Sequence, residues 1–182
     1  MNPAVKPAPG LPLPHIHAAL FVPPMKRALL DAIISRLQSE VDLLTRAALA
    51  THAEATDEEN KAEDKYDTRG LEASYLAHGQ SKAAEEAALA VAQFQALPVR
   101  PVGPTDPIGL GAVVTVATGG PPAHYFIGPR AGGTEITHDG RSLMIITPQS
   151  PLGSQLIGRR QGDKFPFSLG GRRTEAQVTA VA

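Results

Sequence analysis

One short segment constrains the fold more than any other feature, because the hydrophobic period changes across it. Residues 98–107 hold four prolines in ten positions. Before them, apolar side chains recur at alternating steps of four and three. After them, the step is two. These are the periods of a helix seam and of a strand. The chain therefore reads as α+β, with helices first and a small β-rich part second. Proline fixes φ and removes a donor, so the segment itself reads as a semi-rigid linker.

The helical part has two seams. Leu30, Ile34, Leu37, Val41, Leu44 and Ala48 form the first, and Pro23-Pro24 stands where a helix can begin. A helix over about 25–53 would be roughly 45 Å long. Leu76, Gln80, Ala83, Ala87, Ala90, Phe94 and Leu97 form the second seam. Asp67 or Thr68 is placed to cap it, and Pro98 ends it. Two such helices joined by a short segment predict an antiparallel helical hairpin, a coiled coil over 25–97. A hairpin alone buries little and needs a neighbour. Residues 1–24 carry seven of the 17 prolines and read as an extended arm.

In residues 108–182 the spacing predicts strands at 112–116, 125–128, 143–147 and 174–181, separated by Gly-rich turns such as Asp139-Gly140. Pro151 opens a short helical turn that Gly158 ends.

Charge is polarised along the chain. The total is 17 basic and 18 acidic residues, but residues 1–107 carry a net −4 and residues 108–182 a net +3. Eight of the acids fall between Glu54 and Glu72, at the tip of the hairpin. Such polarity suits partners of definite sign. Several classes are excluded. There is no Cys, hence no disulfide, Cys-ligated zinc or thiol nucleophile. The absence of Trp and an aromatic share of 4% argue against a stacking platform for single-stranded nucleic acid. No P-loop occurs, the His15/His17 pair sits in the proline-rich arm, and Ser150, Asp163 and His138 lack the spacing of a catalytic triad. No apolar run reaches the roughly 18 residues of a membrane span, and the start lacks a secretory pattern, so the expected address is the cytoplasm.

The acidic tip has no apolar period and reads either as a solvated loop or as an oxygen-donor set. Asp64 and Asp67, three apart, could converge on a hard cation such as Mg²⁺. The pairs Arg159-Arg160 and Arg172-Arg173 are either a binding face or ordinary surface charge.

Ile108-Gly-Leu-Gly-Ala-Val-Val-Thr-Val116, Tyr125-Phe-Ile-Gly128 and the string Ser150-Pro-Leu-Gly-Ser-Gln-Leu-Ile-Gly158-Arg-Arg-Gln-Gly-Asp163 resemble the C-terminal domain of the Gre transcript-cleavage factors. The resemblance implies an FKBP-like fold for 108–182 and matches the hairpin by architecture. It further implies a monomeric partner of RNA polymerase. The C-terminal domain would dock at the rim of the secondary channel, through residues of the string: Ser150, Pro151, Leu152, Gly158, Arg159, Arg160 and Asp163. The hairpin would enter the channel. Its tip carboxylates would help hold a Mg²⁺ shared with the polymerase, with contact to the RNA 3′ end only inside that complex. The factor would bind no cofactor alone and have no activity alone. The family's tip is Asp, two residues, Glu and Asn, with a Tyr a few positions on. Asp64-Lys-Tyr-Asp67-Thr-Arg keeps the spacing, with Asp in second place and no Asn following. A register anchored on Tyr75 instead puts Asp67 and Glu72 near the acid positions. Two other readings stand beside this one: a channel-plugging regulator without cleavage, and an FKBP-like prolyl isomerase, which needs an aromatic-lined pocket.

Overall fold

The computed structural model describes residues 23–56, 69–169 and 172–182. Helix α1 spans Pro23–Thr56 and α2 spans Arg69–Gln95. The 34 residues of α1 make it about 51 Å long. Its two prolines occupy the first turn, where a missing N–H costs no helical bond. Beyond α2, Ala96 and Leu97 donate back to Ala92 and Phe94, and the chain then leaves toward Pro98.

The helices are antiparallel. Leu29, Leu30, Ile33 and Leu37 near the start of α1 cluster with Ala90 and Phe94 near the end of α2. At the other end, Ala48 and His52 lie beside Ser74, Ala77 and His78. The 4-3 seam of α1 is the inner face: Leu30, Leu37 and Ala48 are buried, with Ile34, Val41 and Leu44 half-buried. The seam of α2 departs at one point. Leu76 is 56% exposed, and Ala77 takes the inner place. A step of three back from Gln80 is as regular as a step of four, and the smaller Ala admits a closer approach of α1. Leu71 and Tyr75 are exposed on the same distal stretch.

Six strands follow: β1 (Val113–Ala117), β2 (Ala123–Ile127), β3 (Glu135–His138), β4 (Arg141–Ile146), β5 (Lys164–Leu169) and β6 (Arg172–Val181). The short α3, Gly153–Leu156, lies between β4 and β5. They form one sheet in the order β3-β4-β2-β1-β6-β5, antiparallel except for the parallel pair β2/β4. The four strands expected from period two correspond to β1, β2, β4 and β6. The two not expected, β3 and β5, are the sheet's two edges. β3 buries one side chain, Ile136, and so shows little alternation. β5 contains Pro166, a residue that strands accept at an edge. Asp139 and Gly140 turn between β3 and β4 with φ of 49° and 71°, the left-handed pair that a tight hairpin demands.

The sheet is covered on both faces, so neighbouring residues of one strand enter different cores. Val113, Phe126, Leu143 and Ile145 pack with the base of the helical hairpin. Val114, Ile127 and Ile146 point the other way, into a core with Ile108, Leu156, Phe165 and Val178. Two-sided burial explains why Val113, Val114 and Val116 are all apolar, with the buried Thr115 hydroxyl paired to His124 Nδ1.

Phe94 joins the hairpin to the sheet. It is fully buried, and its ring stacks on Phe126 at 6.0 Å between centroids. A side chain at Gly128 would come within 2.7 Å of Phe94 and 2.8 Å of Ile145. The bare backbone there is what lets the ring in.

The 98–107 segment is tied from both sides. Lys26 of α1 donates from Nζ to the Arg100 carbonyl at 2.9 Å. Arg160 donates from Nε to the Thr105 carbonyl at 2.8 Å. Within the segment, the Gly103 N–H donates to the Asp106 carboxylate. Lys26 is 4% exposed, and desolvation lowers its ammonium from the ordinary 10.5 to about 8. Among the described residues, no helix is long and apolar enough to cross a membrane.

Two outcomes are expected. Phe94→Ala removes a large buried ring and should cost about 3–5 kcal/mol of unfolding free energy, read by denaturant titration. Between about pH 8 and 10.5 the unfolded chain holds the Lys26 proton more tightly than the folded one. Stability should therefore rise with pH across that window, and Lys26→Met should flatten the rise. An identical pH profile for the variant would show that the buried amine does not titrate as described.

Candidate functional site

On the sheet face away from the hairpin lies a groove of about 780 Å³, between α3 and β5. Tyr125 of β2 and Met144 and Ile146 of β4 line it, with Pro151 and Leu152 on one side and Phe167 on the other. Ser150, Gln155 and Ser168 supply its polar edge. Alternation along β2 puts Tyr125 on this face while its neighbour Phe126 enters the other core. Partial burial raises the Tyr125 phenol above its ordinary 10.0, so it is neutral and able to donate at pH 7.

The wall formed by 150–155 is built by a compact turn. The Ser150 hydroxyl donates to the Thr147 carbonyl at 2.8 Å and accepts from the Gly153 N–H at 3.0 Å. The Ser154 N–H donates to the Ser150 carbonyl at 2.9 Å. Any Cβ at Gly153 would overlap the Thr147 carbonyl oxygen. Ser150 and Gly153 are thus required by the turn itself.

The seven residues of the resemblance fall into two groups. Ser150, Pro151 and Leu152 belong to the groove. Gly158, Arg159, Arg160 and Asp163 lie beyond α3, where the chain meets the 104–108 segment. Gly158 has φ of 80° and exchanges backbone bonds, with Arg159, across to Ile108. The Asp163 carboxylate accepts the Arg160 N–H at 2.8 Å. Arg159 lies over the Phe165 ring at 5.2 Å and donates to the carbonyls of Gln155 and Lys164. These contacts explain the Gly-Arg-Arg-Gln-Gly-Asp string by local folding. The guanidinium of Arg159 is part of the packing, whereas Arg160 keeps its exposure.

Glu72 sits exposed in the first turn of α2. Asp64 and Asp67, and the capping position at Asp67 or Thr68, lie outside the described residues. Among the described residues, no three His, Asp or Glu side chains gather as a cation site. Ser150, Asp163 and His138 do not assemble: the Ser150 hydroxyl and the Asp163 carboxylate bond to backbone as above, and the His138 ring lies 3.5 Å from Asp139.

Tyr125 and Phe167 are two of the four aromatics that residues 108–182 offer for a pocket, while Met144 carries no signal in the sequence. Phe165-Pro-Phe167 offered a signal, since residues two apart share a strand face. Phe165 fills the core and Phe167 follows it at the rim, half-buried.

No protein-family profile matches the chain, and no curated protein matches it. Solved structures of similar shape include Gfh1 of Thermus aquaticus, at 20% identity and TM-score 0.36, covering 81% of this chain and 92% of that one. GreA factor homolog 1 of Thermus thermophilus, at 19% identity and TM-score 0.33, covers 82% and 94%. The prokaryotic transcription elongation factor GreA/GreB from Nitrosomonas europaea, at 19% identity and TM-score 0.31, covers 64% and 94%. Scores of this size leave the fold to rest on the sheet order and hairpin packing given above.

Gly153→Ala should destabilise the chain by about 1–3 kcal/mol, the usual cost of forcing atoms into a filled site. Ser154→Ala, one residue on and exposed, should lie within about 0.5 kcal/mol of the parent. Equal stability of the two variants by thermal unfolding would refute the tight turn.

Proposed function

We propose that this chain is an RNA polymerase-binding transcription factor of the Gre type, which stimulates the polymerase's own cleavage of backtracked RNA. The observation that carries the reading is the hairpin's reach. Its shared core with the sheet ends at Leu37, and α1 continues to Thr56, about 28 Å further at the helical rise. The run of acids begins there. A long helical pair seated on a sheet is a means of delivering carboxylates to a distant centre. Docking falls to the other end of the molecule, with Pro151 and Leu152 at the groove and Arg160 beyond α3, beside Thr105.

Asp64 and Asp67 offer hard oxygen donors of the kind Mg²⁺ takes, one or two at a time. The ion, shared with the polymerase, would polarise water and phosphate there. What this chain contributes is position and negative charge. The catalytic centre remains the polymerase's. In the Tyr75-anchored register, Glu72 takes the second place beside Asp67. A second reading, a channel-binding regulator without cleavage, is favoured by one observation: Thr68 follows Asp67 where the family has Asn.

Stalled elongation complexes, with and without the protein, separate the two. Cleavage reading: RNA shortens from its 3′ end, and Asp67→Asn slows this tenfold or more, equivalent to at least about 1.4 kcal/mol of transition-state stabilisation. Asp64→Asn should match it in the first register and Glu72→Gln in the second. If the parent binds polymerase and the RNA stays intact, the regulator reading stands. If all three variants cleave like the parent, the carboxylates have no part in the reaction.

A further inference from the structure

We propose that the groove between α3 and β5 binds the proline-rich arm of the same chain, residues 7–14, in a polyproline II conformation. The inference does not depend on the polymerase reading; where both hold, the arm and the polymerase compete for Pro151 and Leu152. Three observations carry it.

The first is the chemistry of the groove. Tyr125, Met144 and Ile146 line it from the sheet, with Leu152 on one side and Phe167 on the other, and few polar groups stand at the edge. Met144 is 36% exposed and Phe167 half-buried. Aromatic-lined apolar grooves take proline-rich segments, because a pyrrolidine ring packs flat on an aromatic face and the ligand loses little entropy. A polyproline II backbone has no internal hydrogen bonds, so its carbonyls need outside donors. The neutral Tyr125 phenol is such a donor.

The second is the arm itself. Pro7-Ala-Pro9-Gly-Leu-Pro12-Leu-Pro14 repeats proline at two- and three-residue intervals. With three residues per turn, Pro9 and Pro12 fall on one face and Leu11 and Pro14 on the next. Both faces are apolar, which suits a groove with two walls.

The third is reach. The arm joins α1 at Pro23, and α1 begins beside the β-rich part, as the bond from Lys26 to Arg100 shows. The nine residues from Pro14 to Pro23 span about 28 Å in polyproline II. Residues 108–182, folded, have a radius of gyration of about 11 Å. The arm can therefore pass round a sheet edge to the far face. Tethering gives it an effective concentration in the millimolar range, which favours this occupant over the arm of a second copy at micromolar protein.

The test uses the full chain, whose lack of cysteine allows a single label. A nitroxide is placed on Lys6→Cys, outside the proline repeat, and the methionine methyls are labelled with ¹³C. There are three methionines, and Met144 is the one in the groove. The expected result is loss of the Met144 methyl signal, restored when the nitroxide is reduced. Pro9→Gly/Pro12→Gly in the same labelled chain should bring back at least half of the signal without changing the fold. A Met144 signal untouched by the nitroxide overturns the proposal. So does broadening that survives the double glycine variant, because proline is then not what is recognised. Equal broadening in a mixture of nitroxide-free labelled chain and nitroxide-bearing unlabelled chain assigns the groove to a second copy, and overturns it as well.

Discussion

The architecture depends on one ring. Phe94, at the end of α2, is held by Phe126 and by the space that Gly128 leaves open. Two helices alone have no third surface on which to close a core. Here the missing surface is one face of the sheet, and Phe94 is the largest side chain that crosses from one to the other. Leu29, Leu30 and Ile33 on α1 complete the contact. A long helical pair is thereby set rigidly on a β-rich base. Any role that requires the far end of the hairpin to be aimed follows from this seating, because an error of angle at the base grows with distance along the rod.

The sheet can serve in this way because its second face is independently filled. Ile108, Leu156 and Phe165 close a separate core around Val114, Ile127 and Ile146. One face is thus committed to the hairpin and the other to α3 and β5, and the groove opens where the second core reaches the surface. The molecule presents two ends of unlike chemistry, acidic along the hairpin tip and mildly basic in the β-rich part. Partners of opposite sign would be recognised at opposite ends.

Much of this was legible in the chain, and the misses have physical causes. The α1 seam could be read because a long helix repeats its burial pattern many times. The choice between Leu76 and Ala77 could not, because it turns on how closely two helices approach, and periodicity carries no distance. β3 escaped because an edge strand with one buried side chain need not alternate, and β5 because Pro166 interrupts the alternation of Phe165 and Phe167. Gly153, Gly158 and Asp163 are demanded by backbone turns, so their spacing speaks of folding before it speaks of a partner. The groove was illegible because Tyr125, Met144, Leu152 and Phe167 come from four separate segments. Of the eight acids from Glu54 to Glu72, only Glu54 and Glu72 lie among the described residues.

The hairpin's inner face also changes character along its length. Near the sheet it is Leu, Ile and Phe; beyond Val41 and Leu44 it becomes Ala48 against Ala77. Each alanine pair buries only a fraction of the apolar area that a Leu–Phe contact does, so the free energy holding the helices together falls with distance from the base. Backbone amides should then exchange with solvent in a graded order, slowest beside Phe94 and fastest toward Thr56 and Gly70. The rod is stiff where it is aimed and yielding where it would meet another molecule, and the gradient is written in side-chain size.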